Sequence, residues 1–232
     1  MALGLAIAGS HKLKTSVRIL DASLPFPDPR GARRDGLVAI GGDLSVARLM
    51  LAYRSGIFPW TVNPLTWWSP DPRAIFELDA FHVGRSLSRL IRKGVFRVTI
   101  DKAFRQVMEG CASPGPGRAS TWITREFFEA YTLLHVSGHA HSVECWLGEE
   151  LAGGIYGVAL GGLFAGESMF HRAGNASKVA LYHLVEHLKK AGFVLFDIQM
   201  LTPITTQLGG INISRREYLR RLVKAVEKTC AF

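Results

Sequence analysis

Two short stretches hold residue types that could do chemistry. GLFAGESMF, residues 162–170, sets Glu167 among Phe164, Met169 and Phe170, where a plain core strand would carry Val or Leu. A carboxylate in apolar company needs a positive partner, water or a proton. That partner is either structural, with Arg172 suggested by spacing, or a cationic ligand. FVLFDIQM, residues 193–200, reads as a strand whose period of two puts Leu195, Asp197 and Gln199 on one face and Val194, Phe196 and Ile198 on the other. A carboxylate and an amide pointing the same way are costly to bury unpaired. They form either the wet end of a strand or the polar floor of a cleft, with Gln199 hydrogen-bonding a substrate and Asp197 orienting an amine.

Other signals are weaker. GNASK, residues 174–178, could offer backbone N–H groups and Lys178 to an anion at a helix start, but helix capping by Asn175 or Ser177 explains it as well. The patterns GxxxxGK[ST], GxSxG and HExxH are absent. So is the Arg/Gln-x-x-Gly-x-Gly/Ala run that cradles the pyrophosphate of coenzyme A. His139 and His141 flank a turn and read as structural. Trp60, Trp67, Trp68 and Trp122 are the kind of side chain on which unstacked bases lie, core filling being the plainer use.

These residues need a frame to position them. HSVECWL (141–147), ELAGGIYGVAL (150–160) and GLFAGESMF read as three antiparallel strands with tight connections. A helix over 177–190, the DxQ strand and a helix from Ser214 follow. Earlier, helices are expected over 45–55 with Asp43 or Ser45 as cap, over 86–93, over 101–112 with Asp101 as cap, and from Thr124 to Val136, with a strand at 96–100. FPWTVNPLTWWSPDPRA, residues 58–74, packs three tryptophans and four prolines into 17 residues, and is expected as an ordered loop. SPGPGRAS reads as a flexible loop. The fold class is therefore α/β (α+β): a mixed, largely antiparallel sheet with helices packed on it.

The 232-residue chain carries 28 Lys plus Arg against 19 Asp plus Glu, a formal charge of +9 that suits a polyanionic partner such as nucleic acid. Basic residues concentrate on helix faces: Arg85, Arg89, Arg92 and Lys93 on one, Arg216, Arg220 and Lys224 on another. Three widely spaced cysteines make neither a disulfide scaffold nor a zinc motif and fit a reducing cytosol. The apolar start, MALGLAIAGSHKLK, has its basic residues behind it, unlike a signal peptide, and no stretch approaches the length of a membrane span.

The strings GLVAIGGDLS, YRSGIFPW, WWSPDPRA, EGCASPGPGRASTWIT, GHAHSVE, GESMFHRAGNASKVAL and FDIQ together resemble the leucyl/phenylalanyl-tRNA–protein transferases, over residues 24 to 224. The resemblance implies a cytoplasmic, monomeric enzyme without metal or cofactor. It would move Leu or Phe, less efficiently Met, from aminoacyl-tRNA to the α-amine of proteins beginning with Arg or Lys, marking them for degradation by the N-degron pathway. It further implies a small N-terminal domain, residues 1–74, and a catalytic domain, residues 75–232, similar to the GCN5-related acetyltransferase fold. Carried onto this sequence, the catalytic residues would be Glu167, Asp197 and Gln199. Trp60, Trp122 and Tyr131 would lie at the terminal adenosine. Phe164, Met169 and Leu184 would line the amino-acid pocket, Leu184 standing where a member of the family has an aromatic residue. The Arg85, Arg89, Arg92, Lys93 face would carry tRNA. In this scheme Glu167 pairs with the cationic acceptor, Gln199 bonds the amine or carbonyl, and Asp197 fixes Gln199 or relays a proton. A coenzyme A-dependent N-acyltransferase and a non-catalytic RNA-binding protein are the rival expectations.

Overall fold

The computed structural model describes residues 17–21, 25–114 and 121–232; the apolar start and most of the SPGPGRAS segment lie outside the described residues. The chain runs β1 (Arg18–Leu20), β2 (Leu37–Gly41), α1 (Val46–Arg54), β3 (Phe58–Val62), β4 (Leu65–Trp68), β5 (Arg73–Phe76), α2 (Arg85–Arg92) and β6 (Arg97–Ile100). It continues α3 (Phe104–Ala112), α4 (Arg125–Val136), β7 (Ala140–Leu147), β8 (Glu150–Leu160), β9 (Leu163–His171), α5 (Ala176–Lys190), β10 (Leu195–Gln199), α6 (Pro203–Gln207), β11 (Gly210–Ile213) and α7 (Arg215–Val226).

The strands form a small sheet, β1-β2-β4-β3, and a seven-stranded sheet, β11-β5-β10-β9-β8-β7-β6. The expected meander is its centre, β7, β8 and β9 pairing antiparallel. Helix α5 then crosses over so that β10 pairs with β9 in parallel, which makes the sheet mixed. The domain boundary expected after residue 74 falls inside β5, a strand of the large sheet.

Burial divides along the faces of that sheet. On one face, α1, α3, α4 and the small sheet share a core with Tyr53, Trp67, Phe127, Tyr131, Tyr156 and Ala165. On the other, α2 and α5 bury Leu87, Leu184 and Val185 against Phe164 and Phe196. Helix α7 closes the β5–β10–β9 end with Tyr218 and Leu222 over Ile75, Leu163 and Leu195.

Three local expectations are corrected. The Trp/Pro-rich segment is a β-hairpin, β3–β4, not a loop. Pro59, which lacks an N–H, lies on the outermost strand, Pro64 lies in the hairpin turn, and Pro70 and Pro72 lie between strands, so the ladder loses little. Asp101 does not cap α3, which starts after Ala103; it accepts from Ser142 N at 2.8 Å and meets His141 Nδ1 at 2.7 Å. At the start of α5, Asn175 is left-handed (φ 67°) and its side chain makes no cap bond. The Ser45 cap on α1 is as expected, its Oγ accepting from Arg48 N.

Candidate active site

Strand pairing would normally carry a side chain straight to one face or the other. At five places among the described strands a bulge or irregularity interrupts it, and three of these converge. On β9, Gly166 pairs with Gly157 and Ser168 with Tyr156, so Glu167 is the extra residue, unpaired on β8. On β10, Asp197 pairs with Ile75 and Gln199 with Ala74, leaving Ile198 extra. On β3, Pro59 pairs with Trp67 and Thr61 with Thr66, leaving Trp60 extra. A bulge bends its strand and re-aims its side chain. Trp60, Glu167, Ile198 and Gln199 all line one cavity of about 260 Å³, together with Phe58, Trp122 and Met200.

The bulge on β9 explains the carboxylate in the apolar run. Phe164 and Met169 both face the α5 core although five residues apart, since the extra residue shifts the alternation between them. Glu167 sits in that shift, half-buried, on the side of α1 and α4. Tyr53 OH lies 2.8 Å from its Oε1 and Tyr131 OH 3.1 Å from its Oε2, and Gln199 Nε2 donates to Oε1 at 2.9 Å. Burial pushes the carboxyl up to about 7, against the pull of the Tyr53, Tyr131 and Gln199 hydrogen bonds. Arg172 is not its partner: that guanidinium donates to Leu151 O and lies over Phe170.

Gln199 reaches Glu167 through a backbone distortion. Its φ is +61°, uncommon for a residue with a Cβ. Asp197 Oδ1 holds the turn by accepting from Gln199 N at 2.9 Å. The expectation that Leu195, Asp197 and Gln199 share one face is therefore overturned: the bulge at Ile198 and the left-handed residue separate Gln199 from Asp197.

Asp197 is 1% exposed. Arg73 clamps it with two bonds, Nε to Oδ1 at 2.8 Å and Nη2 to Oδ2 at 2.5 Å, and Tyr218 OH donates to Oδ2 at 2.8 Å. Arg73 is equally buried, lies between the rings of Phe58 and Tyr218, and donates to Gly56 O. Burial works against its charge, and the Asp197 carboxylate more than offsets that and holds the guanidinium protonated. With each oxygen occupied and no opening to the cavity, Asp197 fixes the backbone of Gln199; it has no free lone pair facing a substrate.

Of the other expected residues, Trp60 and Trp122 line the cavity, and Tyr131 lies beneath it against Glu167. Trp60 stacks edge-on to Trp68 and Trp122 edge-on to Phe127. Phe164, Met169 and Leu184 belong to the core across β9 from Glu167. Arg85, Arg89, Arg92 and Lys93 are exposed on α2, which packs through Leu87 on that second core. Tyr53, Arg73 and Tyr218 were not foreseen; they sit 114, 124 and 21 residues from their partners, beyond the reach of any local pattern. No group of three or more His, Cys, Asp or Glu able to hold a metal ion occurs among the described residues.

A cavity walled by indoles, with a bridged carboxyl and amide on its floor, can bring two substrates together. That is the profile of a group transferase. The family model described as leucyl/phenylalanyl-tRNA protein transferase matches residues 75–223, and the model of its N-terminal domain matches residues 42–71. The chain is 53% identical over 210 residues to the leucyl/phenylalanyl-tRNA–protein transferase of Magnetococcus marinus, covering 87% of this chain and 88% of that one. It is 50% identical to those of Anaeromyxobacter dehalogenans (88% of each chain) and Escherichia coli O1:K1 (89% of each). The protein belongs to the leucyl/phenylalanyl-tRNA–protein transferase family. Among solved structures, L-PGS from Bacillus licheniformis matches with a TM-score of 0.38 and 13% identity over 69% of this chain and 54% of that one.

Proposed function

We propose that this enzyme transfers Leu or Phe from aminoacyl-tRNA to the N-terminal α-amine of an acceptor protein beginning with Arg or Lys, and Met less efficiently. The observation that carries this reading is the Glu167–Gln199 bridge on the floor of a tryptophan-walled cavity. The terminal adenine stacks on Trp60 and Trp122, as unstacked bases do on exposed indoles. The wall proposed for the amino-acid side chain, Phe164, Met169 and Leu184, lies in the core across β9 from the tryptophan-lined cavity, so the side chain would pass β9 and open that core to reach it. An apolar wall separates side chains by only a few kcal/mol, which leaves room for Met. The tRNA backbone follows exposed basic helix faces, first that of α2 and second that of α7. The product is a degradation signal. The meander and the β9–α5–β10 crossover are what favour kinship with the GCN5-related acetyltransferase fold.

Ester becomes amide, so the reaction runs downhill. The acceptor nitrogen attacks the ester carbonyl carbon; the C–N bond forms, the C–O bond to the terminal ribose breaks, and a proton lost by nitrogen ends on the ribose oxygen. An α-amine of pKa near 8 is partly neutral at neutral pH, so placement and stabilisation of the oxyanion supply most of the rate. Gln199 turns its amide from Glu167 to the reacting carbonyl or amine. Glu167 faces the positive acceptor N-terminus. Asp197, closed off by Arg73 and Tyr218, acts as a positioning residue for Gln199 and not as general base. Gln199→Ala tests the scheme: single-turnover transfer from Phe-tRNA should fall about a hundredfold, with binding of charged tRNA little changed. Full rate in that variant would remove Gln199 from the mechanism.

A further inference from the structure

The groups beneath the cavity raise a problem of proton count. Tyr53 OH and Tyr131 OH lie 2.5 Å apart, and they lie 2.8 Å and 3.1 Å from Glu167 Oε1 and Oε2 respectively. Three hydrogen bonds need three protons, and two phenols bring two. Were Glu167 ionised, the two phenol protons could fill only two of the three contacts, and one pair of oxygens would face each other with no proton between them. Oε1 already accepts from Gln199 Nε2 as well as from Tyr53, so the third proton belongs on Oε2. The ring then closes in one direction, from Glu167 Oε2–H to Tyr131, from Tyr131 O–H to Tyr53, and from Tyr53 O–H back to Glu167 Oε1.

We propose that Glu167, Tyr131 and Tyr53 form a closed three-proton ring in the empty site, with Glu167 neutral, and that a cationic acceptor N-terminus opens it by displacing one proton to solvent. The opening step rests on the proposed reading of this cavity as the acceptor site; the ring does not. Neutral ring plus ammonium becomes carboxylate–ammonium pair plus a proton, with charge conserved. Both phenols then donate to the carboxylate, and the contact between them breaks.

The groups facing Glu167 come from five elements: Tyr53 from α1, Tyr131 from α4, Tyr156 from β8, Gln199 and Asp197 from β10, and Arg73 from β5. Asp197 disfavours a second negative charge, and Arg73 spends its own charge on Asp197. Burial holds all three tyrosines protonated, Tyr156 with no hydrogen-bond partner for its hydroxyl among the described residues. The carboxyl, raised to about 7 by burial, is therefore the group that can release a proton near neutrality. Such a site exposes a full negative charge only once a cation is there to meet it.

Isotope-edited infrared spectroscopy of the full chain, with 13C-labelled glutamate, reads the ring without any substrate. At about pH 6 the free protein should show a protonated-carboxyl band that is absent in Glu167→Gln and titrates away around pH 7. Tyr53→Phe removes one donor from the carboxylate and should move that midpoint upward. Calorimetric titration with an Arg-initiated peptide, at about pH 6 in buffers of different ionisation heat, reads the opening. There the peptide amine is already charged. Nearly one proton should be released per peptide bound, and none with Glu167→Gln. A fully ionised Glu167 in the free protein at that pH would overturn the ring. Peptide binding without proton release would overturn the opening step. No peptide binding, with the infrared band as expected, would overturn the acceptor reading and the opening step together while the ring stands.

Discussion

Asp197 and Glu167 are carboxylates beneath one cavity, and their surroundings give them opposite work. Asp197 is bound by Arg73 and Tyr218 and closed from the cavity; Glu167 lines the cavity and is met by three neutral groups, Tyr53, Tyr131 and Gln199. Asp197→Asn should therefore act through stability and geometry. It leaves a buried guanidinium uncompensated, and urea denaturation should show a loss of about 3–5 kcal/mol. The pH dependence of the remaining transfer rate should match the parent's, whereas a lost pH limb would restore the general-base role. Glu167, Asp197 and Gln199 were legible in the sequence because a carboxylate between phenylalanines and a polar pair in an apolar strand are conspicuous. Their partners were not. Tyr53, Arg73 and Tyr218 look like ordinary helix and strand residues until the fold brings them together.

At the scale of elements, the three bulges do the positioning. The meander and the helices follow from apolar periodicity, and most of their bounds fall within a residue or two of expectation. A strict period of two cannot register an extra residue, which is why Gln199 was assigned to the face of Asp197. Nor can composition show that prolines on an outer strand and in turns are compatible with a hairpin. The glycines were the available signal. Gly157 opposes the Glu167 bulge, and a Cβ there would meet Ala165 O at 2.3 Å and the Phe164 ring at 2.5 Å. Gly157→Ala should force β8 from β9, costing about 1–3 kcal/mol by thermal or urea unfolding, and should reduce transfer by displacing Glu167. A variant of unchanged stability and activity would show that the bulge does not depend on this close approach.

Over the whole molecule, the +9 charge and its helix-borne basic faces suit a partner as anionic as tRNA, and the cavity supplies what charge alone does not. Two basic surfaces compete for the tRNA body. The α2 face lies on the α5 side of the large sheet, whereas Arg216 and Arg220 of α7 border a groove of about 630 Å³ with Arg30 and Arg54. Phosphate contacts on either should weaken steeply with salt, and reversing the charges of the face in use should flatten that dependence. No described helix is long and apolar enough to cross a membrane. Transfer itself is read by single-turnover reaction of a panel of charged tRNAs with peptides beginning with Arg, Lys, Asp or Glu. Leu and Phe should move readily and Met less so, to Arg and Lys peptides alone, with the rate lost in Gln199→Ala. Acyl transfer from acetyl-coenzyme A without tRNA, or tight binding of charged tRNA with no turnover, would contradict the proposed transfer.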